Sequence, residues 1–276
     1  MKNIMYKAAG LYLNTISWIS PKKGGEIGFK LFCRPIRPTM RKHHKEFLNS
    51  AEKSDFNYNG QKVQVYTWGT GPLKILFLHG WQSHSFRWKK YIENLPGDLV
   101  TIYALDAPGH GLSEGNYLNV PYYAELIQQF VIQYGNFDTI IAHSLGGMAL
   151  LYALSHYDNL PAKKVVVMAV PGKAIDFIDY YHQALTLNQR TISIMNKHFE
   201  YRIGKPVVYF ETENFVKHIT IPGLIIHDTE DKDAPVAYAY KFHEYWENAE
   251  LYITEGLGHN LKSKQVVEKI RRFILE

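Results

Sequence analysis

Cysteine is almost missing from this chain: Cys33 is the only one among 276 residues. No intrachain disulfide is possible, and a reducing compartment, the cytoplasm, is the expected setting. Long apolar runs are missing too. The most apolar stretch near the start, Ala8 to Ile19, is interrupted by Asn14, Thr15 and Ser17. It is too short to span a bilayer. The Ser20-Pro21-Lys22-Lys23-Gly24 that follows has no small-x-small cleavage site, so a signal peptide is not expected. The stretch reads as an amphipathic helix packed on the domain, in preference to one lying on a membrane surface.

Neither sign of charge dominates, with 31 Lys and Arg against 26 Asp and Glu, a net +5. Much of the excess falls between Lys22 and Lys45 and reads as a solvated face. Basic and aromatic residues are not interleaved, which argues against a nucleic-acid partner. No His, Cys, Asp or Glu grouping has metal-ligand spacing, so neither a metal nor another cofactor is expected. With 46% hydrophobic and 21% charged residues the chain is globular. Its length suits one large α/β domain or a domain with an insertion.

Positive signals begin with a helical segment over residues 1 to about 50, broken at Pro21, Pro35 and Pro38. Strands start near Asp55. Asn59-Gly60 is a hairpin turn, and Gln61 to Trp68 alternates polar and apolar residues as a half-buried strand does. Leu73 to Leu78 is a short buried strand. From there strand and helix alternate: helix from Phe86 to Asn94, strand from Leu99, helix from Tyr122 to Tyr134, strand from Lys164 to Val170. Uniformly apolar strands in this alternation mean a parallel sheet covered on both faces. Residues 173–217 break the pattern. They are aromatic and helical, too long for a plain connection, and read as a lid inserted before the strand near Ile221 to Ile226. The expected division is a helical extension over 1–52, a core over 53–172 and 218–276, and the insertion over 173–217.

Ligands of such sheets bind at the carboxyl ends of the strands. His79, Asp106 and Ser144 all fall there. Thr139 to His143 is an apolar run that leads into Ser144-Leu145-Gly146-Gly147 and a helix-forming stretch. That is the layout of a nucleophile elbow, with Ser144 at the apex and small residues at Ala142 and Gly146, where strand and helix pass closely. A serine nucleophile needs a base, and the base needs an acid that holds its tautomer. Gly256-Leu257-Gly258-His259 follows the last strand and offers the base, His259. The acid should follow a late strand, where Asp228, Glu230, Asp231 and Asp233 are all available. Two backbone donors should face the developing oxyanion: the N–H of Leu145, after the nucleophile, and the N–H of Trp81, in the loop after an earlier strand. Asp106 reads as a turn anchor, while His79 and His110 read as loop organisers. His84 and His143 are candidates for lining the pocket.

These residues resemble the α/β-hydrolase superfamily. His79-Gly80-Trp81 resembles its oxyanion-loop motif, Asp106 to Ser113 its Asp-x-x-Gly-x-Gly-x-Ser stretch, and Ala142 to Gly146 its elbow. Asp231 to Pro235 matches the Asp-x-x-x-Pro of its acid, which selects Asp231, and Gly258-His259 matches its base. Asp228 stands where members often carry Gly, as a structural carboxylate or a competing acid. The family also admits an acid after the preceding strand, near Asp176. The helical extension with Trp68-Gly69-x-Gly71-Pro72 is similar to a bacterial subgroup of unassigned substrate.

The resemblance implies a mostly parallel central sheet flanked by helices. It implies a serine hydrolase that cleaves a small carboxylic ester or thioester through an acyl-enzyme, without cofactor. Two alternatives stay open: a carbon–carbon or amide bond hydrolase with the same triad, and a non-catalytic binding module. Serine at the elbow argues against dehalogenase and epoxide-hydrolase chemistry, which in this superfamily uses Asp there.

Overall fold

The computed structural model describes residues 2–158 and 160–276. The chain forms two compact units: Met1–Arg34 with Lys173–Glu211, and Pro35–Gly172 with Thr212–Glu276.

The second unit is built on an eight-stranded sheet. Its strands are β1 (Glu52–Tyr58), β2 (Gln61–Trp68), β3 (Leu73–Leu78), β4 (Val100–Leu105), β5 (Phe137–His143), β6 (Ala162–Met168), β7 (Gly223–Asp228) and β8 (Ala249–Thr254). Their order is β1-β2-β4-β3-β5-β6-β7-β8. β1 and β2 are antiparallel, joined through Asn59 and Gly60 with φ of 52° and 77°, as a hairpin with two left-handed residues requires. β2 also pairs antiparallel with β4, and every later pairing is parallel. The central strands are apolar nearly throughout because helices cover both faces; in β7 every residue is buried. The chain runs from β3 outward to β4 and then returns to β5 on the other side of β3. That reversal is the switch point at which open α/β sheets leave a crevice.

Helices clamp this sheet. Lys264–Leu275 starts at Ser263, whose Oγ accepts from Val266 N–H at 3.1 Å, and it buries Val266, Val267, Ile270 and Ile274 along one face. Each such side chain stabilises the fold by roughly 2 kcal/mol. Val120–Tyr134 starts at Asn119, which caps Tyr122 N–H at 2.9 Å. The helix expected over Phe86–Asn94 is instead a 3₁₀ turn, Ser85–Trp88, followed by a single α turn, Lys89–Ile92. The N–H and Oγ of Ser85 are both tied to Asp106 Oδ1 at 2.8 Å, which fixes the start of that segment.

Residues 35–52 and 212–217 cluster with the sheet, so the unit boundaries fall at 34/35 and 211/212 and not at 52/53 and 217/218. The reason is local packing. Arg37 donates to the carbonyls of Gly111 and Gly115, at 3.2 and 2.9 Å. Phe47 stacks on Trp68 at 5.5 Å, and Thr212 donates through N–H and Oγ1 to Gly172 O and Pro171 O.

The other unit is helical: Lys2–Ile19, Pro21–Phe32, Ala174–Leu185 and Gln189–Ile203. Close approach rests on glycine. A Cβ on Gly28 would lie 2.7 Å from Met195, and one on Gly25 would lie 2.9 Å from His198. Phe29 and Phe210 each meet Phe199 edge-on at 5.9 Å and fill the centre.

Candidate active site

Ser144 follows β5 at the centre of the sheet. Its backbone has φ 54° and ψ −123°, a conformation that costs a non-glycine residue roughly 1–3 kcal/mol and is retained where the surroundings force it. The forcing is visible. A Cβ on Gly146 would meet the carbonyl oxygens of His79 and Leu78 at 2.6 and 2.9 Å, so the helix Leu145–His156 passes directly against the end of β3. Gly80 sits as tightly, its missing Cβ 2.8 Å from the Ser144 Cβ.

The two distant loops expected to meet the serine do so. Ser144 Oγ is 2.9 Å from His259 Nε2. His259 Nδ1–H donates to Asp231 Oδ2 at 2.9 Å and lies 3.1 Å from Oδ1. Asp231 is buried, and its Oδ1 accepts from the N–H groups of Asp233 and Ala234, both at 2.9 Å. Burial opposes its charge, but these donors, the His259 ring and Nε2 of His227 at 3.3 Å outweigh it and hold the carboxyl well below the usual carboxylate range.

Asp228 has a different task. Its Oδ1 accepts from Gly258 N–H (2.9 Å) and Glu230 N–H (3.0 Å), and its Oδ2 from Thr254 Oγ1 (2.7 Å) and Leu257 N–H (3.0 Å). Four donors saturate the carboxylate and pull its pKa down against the effect of burial. It ties the end of β7 to the loop that carries His259. Asp176 lies in Ala174–Leu185 of the helical unit.

The N–H groups of Trp81 and Leu145 make no backbone hydrogen bond among the described residues. Leu145 opens its helix, so its N–H belongs to the positive end of the helix dipole. The Trp81 loop is fixed by its neighbours: Gln82, at φ 49°, donates its N–H to His110 Nε2 at 3.0 Å, and the Trp81 ring meets His110 edge-on at 5.6 Å.

Burial holds His79 and His110 neutral. His79 donates from Nδ1 to Gly80 O (2.7 Å) and accepts at Nε2 from Ala107 N–H (2.9 Å), with its pKa pushed down to about 3. His110 donates to Pro108 O at 3.0 Å and is likewise pushed to about 3. Asp106 collects Tyr66 OH, Leu112 N–H and both Ser85 donors, so it anchors turns.

His143, expected as a pocket residue, is tied to the loop that carries His259. Its Nε2–H donates to the backbone carbonyl of His259 at 2.8 Å, and the two rings lie 4.9 Å apart. His84 packs on the His44 ring at 5.0 Å, with no hydrogen bond or ring contact to the Ser144–His259–Asp231 line among the described residues. Sequence reasoning missed the contacts that His143, His227 and Arg37 make. Each reaches a backbone or carboxylate oxygen supplied by the fold, and no local motif marks such a pairing. Asp231, Asp233 and His259 present donor atoms within 4.8 Å of one another, as a metal site could. The hydrogen bonds already described account for that closeness.

A model of the alpha/beta hydrolase family matches residues 75–263, a span that holds Trp81, Ser144, Leu145, Asp228, Asp231 and His259. The "Probable serine hydrolase" of Drosophila melanogaster is 30% identical over 139 residues, 43% of this chain and 42% of that protein. An esterase of Mycobacterium tuberculosis is 26% identical over 147 residues, 50% of this chain and 46% of that one. The chain thus matches less than half the length of each relative. Among solved structures, an esterase of a Rhodococcus species superposes with a TM-score of 0.61 at 14% identity, covering 82% of this chain and 99% of its own. Among the described residues no helix is long and apolar enough to cross a membrane.

Proposed function

This chain belongs to the alpha/beta hydrolase family, and from that premise we propose that it is a serine hydrolase cleaving a small carboxylic ester or thioester through an acyl-enzyme on Ser144. The observation that carries the reading is the continuous hydrogen-bonded line from Ser144 Oγ through both nitrogens of His259 to Asp231. In the first step Ser144 Oγ attacks the substrate carbonyl carbon as its proton passes to His259 Nε2. Asp231 holds the proton on Nδ1 and stabilises the imidazolium. The N–H groups of Leu145 and Trp81 receive the oxyanion. Collapse of the tetrahedral intermediate expels the alcohol or thiol, which takes the proton from Nε2. Water then repeats the sequence, with His259 as base, and releases the acid and free Ser144. The esterase among the relatives supports the choice of substrate class. The cytoplasm is the proposed compartment.

The test is intact mass after reaction with a fluorophosphonate. One adduct on the wild type and none on Ser144→Ala is the expected result. An unmodified wild type would overturn the assignment and leave a binding module on the same fold. A panel of p-nitrophenyl esters, thioesters, anilides and diketones then separates ester from amide and carbon–carbon chemistry. Anilide or diketone turnover with inert esters refutes the substrate class.

A further inference from the structure

The helix Lys2–Ile19 packs with one face only. Gly10, Leu13 and Ser17, spaced three and four apart, are buried. A Cβ on Gly10 would collide with the Leu185 carbonyl, and Ser17 lies against Gly24. Asn14 is bonded on both sides of its amide, to Thr186 O and to Asn188 N–H. This face is therefore used up inside the helical unit.

The opposite face is apolar and exposed. Ile4, Leu11 and Trp18 recur every seven residues, at 72%, 69% and 71% exposure, and Met5, Tyr12 and Ile19 form a second such row beside them. Ala8 and Thr15 are exposed between the rows. At 3.6 residues per turn these positions cover an arc of roughly 140°. A two-helix seam is narrower than that. Isolated exposed apolar side chains need no explanation, but a continuous stripe the length of an 18-residue helix does.

Charge identifies the partner. The first 25 residues hold Lys2, Lys7, Lys22 and Lys23 and no Asp or Glu. Trp18 and Tyr12 carry the polar tips that favour a water–hydrocarbon boundary. Two copies paired through this helix would bring together two segments that carry positive charge and no acidic residue to offset it. The helix is also not apolar enough to cross a bilayer. We propose that Lys2–Ile19 docks the protein in the plane of an anionic lipid surface, with Ile4, Leu11 and Trp18 in the acyl boundary and Lys7, Lys22 and Lys23 on the headgroups. This does not depend on what the hydrolase cleaves.

The experiment is vesicle co-sedimentation of the full chain and of a Leu11→Glu, Trp18→Glu double variant. Phosphatidylcholine vesicles with and without phosphatidylglycerol are compared, with thermal unfolding as the fold control. Wild type should pellet with phosphatidylglycerol vesicles, more weakly as salt rises. The variant should partition at least about tenfold less while unfolding at the same temperature. Wild type left in the supernatant, or pelleting no better than the variant, overturns the proposal. A wild-type dimer that the variant converts to monomer overturns it as well, because a second copy then covers the face. Should the double variant unfold early, Leu11→Lys alone gives the same reading: its added charge must weaken insertion although it strengthens headgroup attraction.

Discussion

Two carboxylates three residues apart, Asp228 and Asp231, can be separated by replacing each with asparagine. In Asp231→Asn one oxygen remains for the N–H groups of Asp233 and Ala234, now both on Oδ1 at 2.9 Å. The new amide NH₂ must then face His259 Nδ1, which can only accept. The ring proton moves to Nε2, where a base is needed for Ser144, 2.9 Å away. Fixing the wrong tautomer in such a triad costs about 10⁴ in kcat, near 5.5 kcal/mol of barrier. Asp228→Asn has another effect. Each of its oxygens serves two donors, and the least costly placing of the amide nitrogen is toward Thr254 Oγ1, which can turn to accept, and Leu257 N–H, which is then left without an acceptor. One unsatisfied N–H and the weaker bonds of a neutral oxygen destabilise by about 2 kcal/mol, or about 4–8 °C in Tm for a chain of this size. Steady-state hydrolysis of a p-nitrophenyl ester and thermal unfolding read the two effects independently. Asp231→Asn should be folded and nearly inactive, and Asp228→Asn should be labile with the smaller loss of kcat. An active Asp231→Asn beside a stable, inactive Asp228→Asn would refute the reasoning and exchange the roles.

Acid should weaken the fold through His79 and His110, whose folded pKa of about 3 lies below the ordinary value of 6.5. A depressed folded pKa contributes stability that is present above pH 6.5 and lost as pH falls toward 3. At pH 5 each histidine costs about 2 kcal/mol. A urea midpoint equal at pH 7.5 and pH 5 contradicts this. Gly146→Ala should lose roughly 1–3 kcal/mol and most activity, because its Cβ meets backbone carbonyls at the end of β3. Gly147→Ala, whose Cβ meets the Val170 side chain, should be milder in the same melt and rate assays. His143→Phe, which loses the bond to His259 O, should lower kcat about tenfold at unchanged KM, with His143→Gln restoring part of it. Equal rates for all three side chains would remove His143 from the positioning of the base.

The strands and the apex serine were legible because buried parallel strands are written almost entirely in apolar residues and end abruptly. Leu73 to Leu78 stops at His79, and Thr139 to His143 stops at Ser144. Helix starts were legible where a cap and an apolar period coincide, as at Asn119 and Ser263. The segment after His84 was misjudged because its period looks helical, while the decisive contact is Ser85 with Asp106, 21 residues away. The choice between Asp228 and Asp231 rested on a family motif, since four carboxylates in six residues carry no local mark. It takes the positions of Thr254, Leu257 and Gly258 to tell the two apart. The joining of the first 34 residues with 173–211 was likewise unreadable. Gly24, Gly25 and Gly28 look like flexibility in one dimension and turn out to be the places where helices touch.

Histidine makes the same argument within the candidate site. His79, His110, His143 and His259 are one residue type in four motif-like settings, and spacing alone cannot rank them. Their partners can. His79 and His110 each donate to a carbonyl and accept from a backbone N–H, so a second ring proton would have to displace a donor in a buried loop. His143 donates to a carbonyl and has no hydrogen bond to a carboxylate among the described residues, and burial holds it well below the ordinary histidine range. Only His259 has a carboxylate on one nitrogen and a hydroxyl on the other. In the proposed mechanism a proton from Ser144 would therefore find a counter-charge across that ring and across none of the other three, and those three histidines fix the loops on either side of it.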